Sequence, residues 1–259
     1  MAKENPLASN LTLEQQKNLF GNAYLNMLWH CPTDQRFPYW VHLPDCYYDE
    51  KDPHYKLLVI IHGTGCAVED YVRHAKELAD RDHVAVLAPL FPGGLIQRDD
   101  FNSYKLLSCD GVRYDQILLD MIDDMAKRYP GVETDKFFLF GHSGGGQFVN
   151  RFLFAHPEKL RACAIGAPGR PTFLNPDEDY FWGTRDFKNY FGHDVDLAAV
   201  QKVPVLVIVG ENDTKFIGDS PYGDNRVARM KSLQKNLQDH GVHTELTILP
   251  GFAHEGGEK

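Results

Sequence analysis

The amino-acid sequence predicts an α/β fold, a mostly parallel, doubly wound sheet flanked by helices. Three observations carry that prediction. From about residue 56 onward, short apolar runs alternate with amphipathic stretches, the pattern expected of β-α-β units. The runs are apolar on both faces, as strands covered by helices on each side must be. A serine bracketed by glycines follows one such run directly and opens an amphipathic stretch, so the segment 137–153 has a strand-turn-helix order.

Taken in order, the chain begins with a predicted helix over residues 12–29. Thr12 and Gln15 have the spacing of a capping box, and Phe20, Tyr24 and Leu28 share one helical face. This helix either packs on the body or serves a homodimer. Residues 39–43 alternate like an early antiparallel strand. Buried strands are predicted at 57–61, 84–87, 137–140, 162–165 and 205–209, with a last strand near Thr244–Leu249. Helical stripes lie between them. Tyr71, Val72, Ala75, Leu78 and Ala79 make the first, and Tyr114, Ile117, Leu118, Met121, Ile122 and Met125 the second, closed by Pro130-Gly131. Phe148, Phe152 and Leu153 mark a third, and Val227, Met230, Leu233 and Leu237 a fourth.

Two connections, 92–111 and 170–202, are longer than the alternation requires. The second is rich in aromatic residues (Phe173, Tyr180, Phe181, Trp182, Phe187, Tyr190, Phe191), and ordered connections of that length are usually lids or binding elements. It is read as a small cap inserted into a single domain spanning 1–259.

Composition excludes several function classes. The 259 residues carry 36 acids against 27 bases, a formal charge of −9 that repels polyanions and leaves no basic footprint. Nucleic acid and anionic membrane are therefore not expected partners. The N-terminus lacks the apolar core of a signal peptide and no run is long enough to span a bilayer, so a cytoplasmic protein is expected. Five scattered cysteines, odd in number and without C-x-x-C spacing, indicate neither a disulfide framework nor a zinc site.

The chemistry is concentrated in Gly141-His142-Ser143-Gly144-Gly145, a G-x-S-x-G sequence after a strand and before a helix. Glycines are needed there because the serine sits on a sharp turn that lifts its hydroxyl clear of the backbone. The turn also aims the amide of Gly144, at a helix N-terminus, toward the place where an oxyanion would form. A serine hydroxyl is a weak nucleophile without a base. Among twelve histidines, His254 lies just past the last strand, in a loop that emerges at the carboxyl edge of the sheet where ligands bind in such folds. A carboxylate must orient that imidazole. Asp213 follows the 205–209 strand at the same edge, with Glu211 and Asp219 as competitors. The second oxyanion donor is expected in His62-Gly63-Thr64-Gly65 after the 57–61 strand, with Thr64 preferred and Gly65 as its alternative.

These four motifs, in this order, resemble the α/β-hydrolase superfamily, specifically its small esterase, dienelactone-hydrolase and polyhydroxyalkanoate-depolymerase-like members, over roughly residues 37–254. The resemblance implies Ser143 as nucleophile, His254 and Asp213 as its partners, and Thr64 and Gly144 as oxyanion amides. It also implies residues 170–202 in the place of the family's variable cap. One departure is visible: the family usually continues past the histidine into a final helix, whereas five residues follow His254 here.

The implied activity is hydrolysis of a carboxylic ester or lactone of a small, moderately apolar molecule through an acyl-enzyme, with no metal or organic cofactor. Phe91, Phe181 and Trp182 are candidate pocket walls, and Tyr104, Lys105 and Arg113 could present polar groups. Amide or carbon–carbon bond hydrolysis on the same triad, and a non-catalytic ligand-binding protein of this fold, are the alternatives. A nucleotide-binding reading of Gly63-Thr64-Gly65 fails, because Val68 stands where the dinucleotide fingerprint needs a further glycine or alanine.

Overall fold

The computed structural model describes residues 11–49 and 53–254. Helix α1 (Leu13–Phe20) opens on the expected capping box: Thr12 Oγ1 accepts the Gln15 N–H at 3.2 Å, and Gln15 Oε1 accepts the Thr12 N–H at 2.8 Å. The helix does not run on to residue 29. Gly21, at a φ of 54°, ends it, a 3-10 turn covers Gly21–Leu25, and Asn26–His30 becomes strand β1. The apolar residues here satisfy two periods at once, and pairing with the next strand decides between them. Met27 and Trp29 turn inward, and Leu28, assigned to a buried helical face, is exposed.

The remaining elements follow the predicted alternation. They are β2 (Pro38–His42), β3 (Tyr55–Ile61), α2 (Val68–Asp82), β4 (Val84–Pro89), a two-residue hairpin of β5 (Ser108–Cys109) and β6 (Val112–Arg113), α3 (Tyr114–Arg128), β7 (Val132–His142), α4 (Gly144–Ala155), β8 (Leu160–Gly166), the short helices α5 (Phe187–Phe191) and α6 (Leu197–Val200), β9 (Val205–Gly210), α7 (Arg226–Asp239) and β10 (Thr244–Leu249).

Among the described residues the main sheet has eight strands in the order β1-β2-β4-β3-β7-β8-β9-β10. Strand β2 pairs antiparallel with both β1 and β4, and every other pairing is parallel. The chain moves from β3 to β4 on one side, then returns to place β7 on the other side of β3. The winding direction thus reverses at β3. The crevice beyond the carboxyl ends of β3 and β7 is the topological switch point, the place where such sheets bind ligands.

Side-chain alternation along the strands sorts the core into two faces. Leu57, Val59 and Ile61 of β3 join Phe137 and Leu139 of β7 in one apolar cluster with Leu118, Met121 and Met125 of α3 and Phe148, Val149 and Phe152 of α4. Met230, Leu233 and Leu237 of α7 pack into the same cluster. Leu58 and Ile60 turn the other way, where Tyr71, Ala75 and Ala79 of α2 cover them. The apolar-on-both-sides runs are therefore explained by helices on both faces of the sheet.

Segment 170–202 packs largely on itself and its neighbours. Phe173 stacks on Tyr222 with ring centroids 3.5 Å apart, and Tyr180 meets Phe187, Tyr190 and Phe191 at 5.8, 4.8 and 5.5 Å. Most of its aromatic rings make a small local core. Among the described residues no helix is long and apolar enough to cross a membrane.

Candidate active site

Ser143 sits between the end of β7 and the start of α4 with φ 57° and ψ −112°, a conformation that costs a residue with a Cβ on the order of 1–3 kcal/mol. The surrounding backbone holds it there. The Ser143 N–H donates to the Gly166 carbonyl at 2.8 Å, and its carbonyl accepts from Gln147 at 3.2 Å. Glycine is required on both sides by contact. A Cβ on Gly141 would lie 2.5 Å from the Gly145 carbonyl, and one on Gly145 would lie 2.2 Å from the Ile61 carbonyl. The turn is thereby pressed into the switch-point crevice.

His254 reaches this turn from the loop after β10. Its Nε2 lies 3.0 Å from Ser143 Oγ, and its Nδ1 lies 2.7 Å from Asp213 Oδ2. An ionised carboxylate can only accept, so Nδ1 carries the proton and the Nε2 lone pair faces the serine hydroxyl. The loop bearing the imidazole is fastened to the loop bearing the acid. The Asn212 N–H donates to the Phe252 carbonyl at 2.8 Å, and the Gly251 N–H donates to Glu211 Oε2 at 3.0 Å. Glu211, one competitor for the acid position, is therefore engaged with the loop backbone.

Asp213 is buried, with 2% of its surface exposed. Burial alone would raise its pKa, but the His254 hydrogen bond and charge together with Arg226 outweigh it and hold the carboxyl below its ordinary value. Arg226, at the first position of α7, approaches Asp213 Oδ1 at 3.3 Å. The ring of His142 lies 5.0 Å from that of His254, and burial, reinforced by the charges of His254 and Arg226, pushes its pKa down to about 4. His142 is thus neutral beside the site. His62 supports the neighbouring loop, accepting the Phe91 N–H at Nε2 (3.0 Å) while Nδ1 donates to the Gly63 carbonyl (2.7 Å).

Thr64 and Gly144 lie side by side: a Cβ built on Gly144 would stand 3.1 Å from the Thr64 nitrogen. Helix α4 leaves its first N–H groups without intrahelical partners, and the Thr64 N–H enters no hydrogen bond among the described residues. The same Cβ would strike the Tyr104 hydroxyl at 2.4 Å and Lys105 Cε at 2.8 Å, so residue 144 must be glycine for this approach.

A cleft of about 410 Å³ opens beside these residues, lined by Asn102, Lys105, Leu106, Gln147, Gly169, Arg170, Phe181, Ile217 and Arg226. Three of its walls are cationic and none is a carboxylate, although the chain as a whole carries −9. Of the nominated wall residues, Phe181 lines the cleft. Phe91 is core, packed among Phe37, Tyr104, Tyr114 and Phe148. Trp182 lies behind the wall, stacked near Tyr222 and under the Arg229 guanidinium. Arg113 pairs with buried Asp115 instead of facing the cleft.

Two site features escaped the sequence reading. Arg226 stands thirteen residues past the acid, and nothing in that spacing announces a contact; only the fold of the 213–225 loop brings it back. Arg151 is fully buried in α4 with no carboxylate partner among the described residues, and donates to the Lys105 carbonyl at 2.5 Å, the Arg170 carbonyl at 2.8 Å and Thr172 Oγ1 at 3.0 Å. An arginine among Phe148, Phe152 and Leu153 was the available signal, since a cation in a buried stripe must be held by something. Among the described residues no group of three or more His, Cys, Asp or Glu side chains is disposed to hold a metal ion.

No curated protein matches this chain. Solved structures do. The poly(3-hydroxybutyrate) depolymerase of Bordetella parapertussis aligns over 97% of this chain and 92% of its own, with a TM-score of 0.74 and 19% identity. Poly(aspartic acid) hydrolase-1 of Sphingomonas sp. KT-1 aligns over 88% and 92%, with a TM-score of 0.68 and 19% identity. An S-formylglutathione hydrolase of Agrobacterium tumefaciens covers 84% and 83%, with a TM-score of 0.56 and 16% identity. At such identities the likeness establishes the α/β-hydrolase fold. The family model extends further, matching residues 44–256, and by that match the chain belongs to the dienelactone hydrolase family.

Proposed function

We propose that this hydrolase cleaves a carboxylic ester or lactone by two-step acyl transfer on Ser143. The observation that carries the reading is the unbroken hydrogen-bond line from Asp213 through His254 to Ser143, at 2.7 and 3.0 Å. His254 takes the hydroxyl proton at Nε2 as Oγ attacks the carbonyl carbon, and Asp213 stabilises the imidazolium so formed. The Thr64 and Gly144 amides receive the oxyanion. His254 then returns the proton to the leaving oxygen, and water releases the acid from the acyl-enzyme by the same steps in reverse roles.

The cleft wall favours a substrate that brings oxygen acceptors or negative charge to Lys105, Arg170 and Arg226. This revises the moderately apolar group suggested by the aromatic content of 170–202, because most of those rings face one another.

Pre-steady-state hydrolysis of a p-nitrophenyl ester tests the reading. A burst of nitrophenolate matching the enzyme concentration is expected, and Ser143→Ala should abolish both burst and turnover while leaving the melting temperature within a few degrees. Turnover by the alanine variant at the unmodified rate would end the proposal.

A further inference from the structure

Lys105 is an unusual neighbour for a developing oxyanion. It lies in the connection after β4 and retains 6% of its surface exposure. Its Nζ donates to Thr64 Oγ1 at 2.8 Å and to Asn102 Oδ1 at 2.7 Å, and it makes no salt bridge among the described residues. Two donors are thus spent on neutral oxygens, and the third has no acceptor among the described residues on a side chain that lines the cleft. Its Cε would lie 2.8 Å from a Cβ on Gly144. The ammonium group therefore touches the Thr64 loop and its stem rests against Gly144.

The position is built rather than incidental. Helix α4 begins with Gly144 and, two turns later, presents Arg151, whose Nη1 holds the Lys105 carbonyl at 2.5 Å. One helix thus supplies an oxyanion amide and also fixes the backbone of the lysine beside it. Tyr104, adjacent in sequence, donates its hydroxyl to the His62 carbonyl at 3.2 Å, tying the same connection to the loop that carries Thr64.

We infer that Lys105 is a positioning residue for the oxyanion site, holding the Thr64 amide through the threonine hydroxyl and keeping a fixed positive charge beside the oxyanion that forms on Ser143 attack. A charge held there gains in the transition state, where negative charge develops on the carbonyl oxygen, more than in the ground state. The inference rests on the acyl-transfer reading above.

The ammonium must stay protonated to act, and its surroundings bring that requirement into an accessible range. Burial, with the nearby Arg151 and Arg170 charges opposed by Cys66 and Asp100, lowers its pKa to about 8. His62 and Tyr104 also face it, His62 neutral because burial holds its pKa near 4, and Tyr104 un-ionised because burial raises its own. Raising the pH through about 8 should therefore remove the charge and slow acylation and deacylation alike, since an oxyanion forms in each.

The test measures kcat and KM against pH on a neutral activated ester, for the unmodified protein, Lys105→Met, Lys105→Arg and Thr64→Val. In the unmodified protein kcat should fall as the pH rises through about 8. Lys105→Met should lower kcat by roughly 10- to 100-fold with KM changed little, the scale of losing support for one oxyanion donor. Lys105→Arg should recover part of kcat and lack the alkaline fall, since guanidinium does not titrate there. Thr64→Val keeps the amide but removes the hydroxyl that Lys105 holds, and should lower kcat in the same direction even if the methionine variant folds poorly. An unchanged kcat in Lys105→Met, a loss confined to KM or to anionic esters, or an alkaline fall that persists in Lys105→Arg would each overturn the inference. Failure of the acyl-transfer reading is distinct: it would be seen as undiminished turnover in Ser143→Ala.

Discussion

At the scale of single residues, the site is a set of side chains whose protonation states are fixed by their neighbours. Asp213 is held below its ordinary pKa despite burial, so it stays ionised as the acceptor for the His254 Nδ1–H. Asp213→Asn should lower kcat by roughly 10³- to 10⁴-fold with little change in stability, because the amide no longer selects the Nδ1–H tautomer. Steady-state kinetics beside a thermal melt separates these effects. Ser143, His254 and Asp213 could be nominated from the sequence because each follows a recognisable strand end. Lys105 could be nominated as a polar group facing a substrate but not its contact with Thr64, and Arg226 and Arg151 reach their partners across distances in the chain that no local pattern records. Phe91 shows the opposite failure: an aromatic after a strand end suggests a wall, yet its ring fills the core between Tyr104 and Phe148.

At the scale of elements, the strands and helices from 56 onward were legible because burial on both faces leaves continuous apolar runs, and helix periods separate them. The N-terminal region was not, since residues 20–29 satisfy a helical and an alternating pattern equally, and the pairing of β1 with β2 lies outside any local window. The junction of α3 with α4 carries a polar cluster with a measurable consequence. Asp115, fully buried at the start of α3, accepts from Arg113 at 2.9 and 2.6 Å and meets His156 Nε2 at 2.8 Å. Burial would raise its pKa, but the hydrogen bonds and charges of His156 and Arg113 prevail and bring it to about 2. A depressed folded-state pKa contributes stability that is present above the unfolded value, about 3.9, and lost as pH falls through it toward the folded one. Part of the acid-induced loss of stability should accordingly fall between about pH 4 and pH 2. Asp115→Asn should cost roughly 1–3 kcal/mol at neutral pH, since it takes the carboxylate from His156 and from the partly exposed Arg113. Urea unfolding of the variant across pH reads both effects.

At the scale of the whole molecule, the site exists because the winding reverses at β3. That reversal opens the crevice into which the Thr64 loop, the Ser143 turn and the His254 loop converge from three separate parts of the chain. Arg151 joins this arrangement to the two long connections, since its guanidinium holds carbonyls at 105 and 170 together with Thr172. Burial, with the charge of Arg170, lowers its pKa to about 10, so it stays charged at neutral pH. Arg151→Met should strand those oxygens, cost roughly 2–3 kcal/mol, and speed amide exchange in 92–111 and 170–202 together. Exchange that quickens in one connection alone would show that they are independent. In the proposed mechanism Ser143, activated by His254, is the attacking group. Peptide mapping after reaction with a fluorophosphonate tests it most directly. A single adduct on Ser143 is expected, formed in step with the loss of ester turnover and suppressed in His254→Ala. An adduct on another residue, or undiminished turnover in protein fully labelled at Ser143, would contradict it.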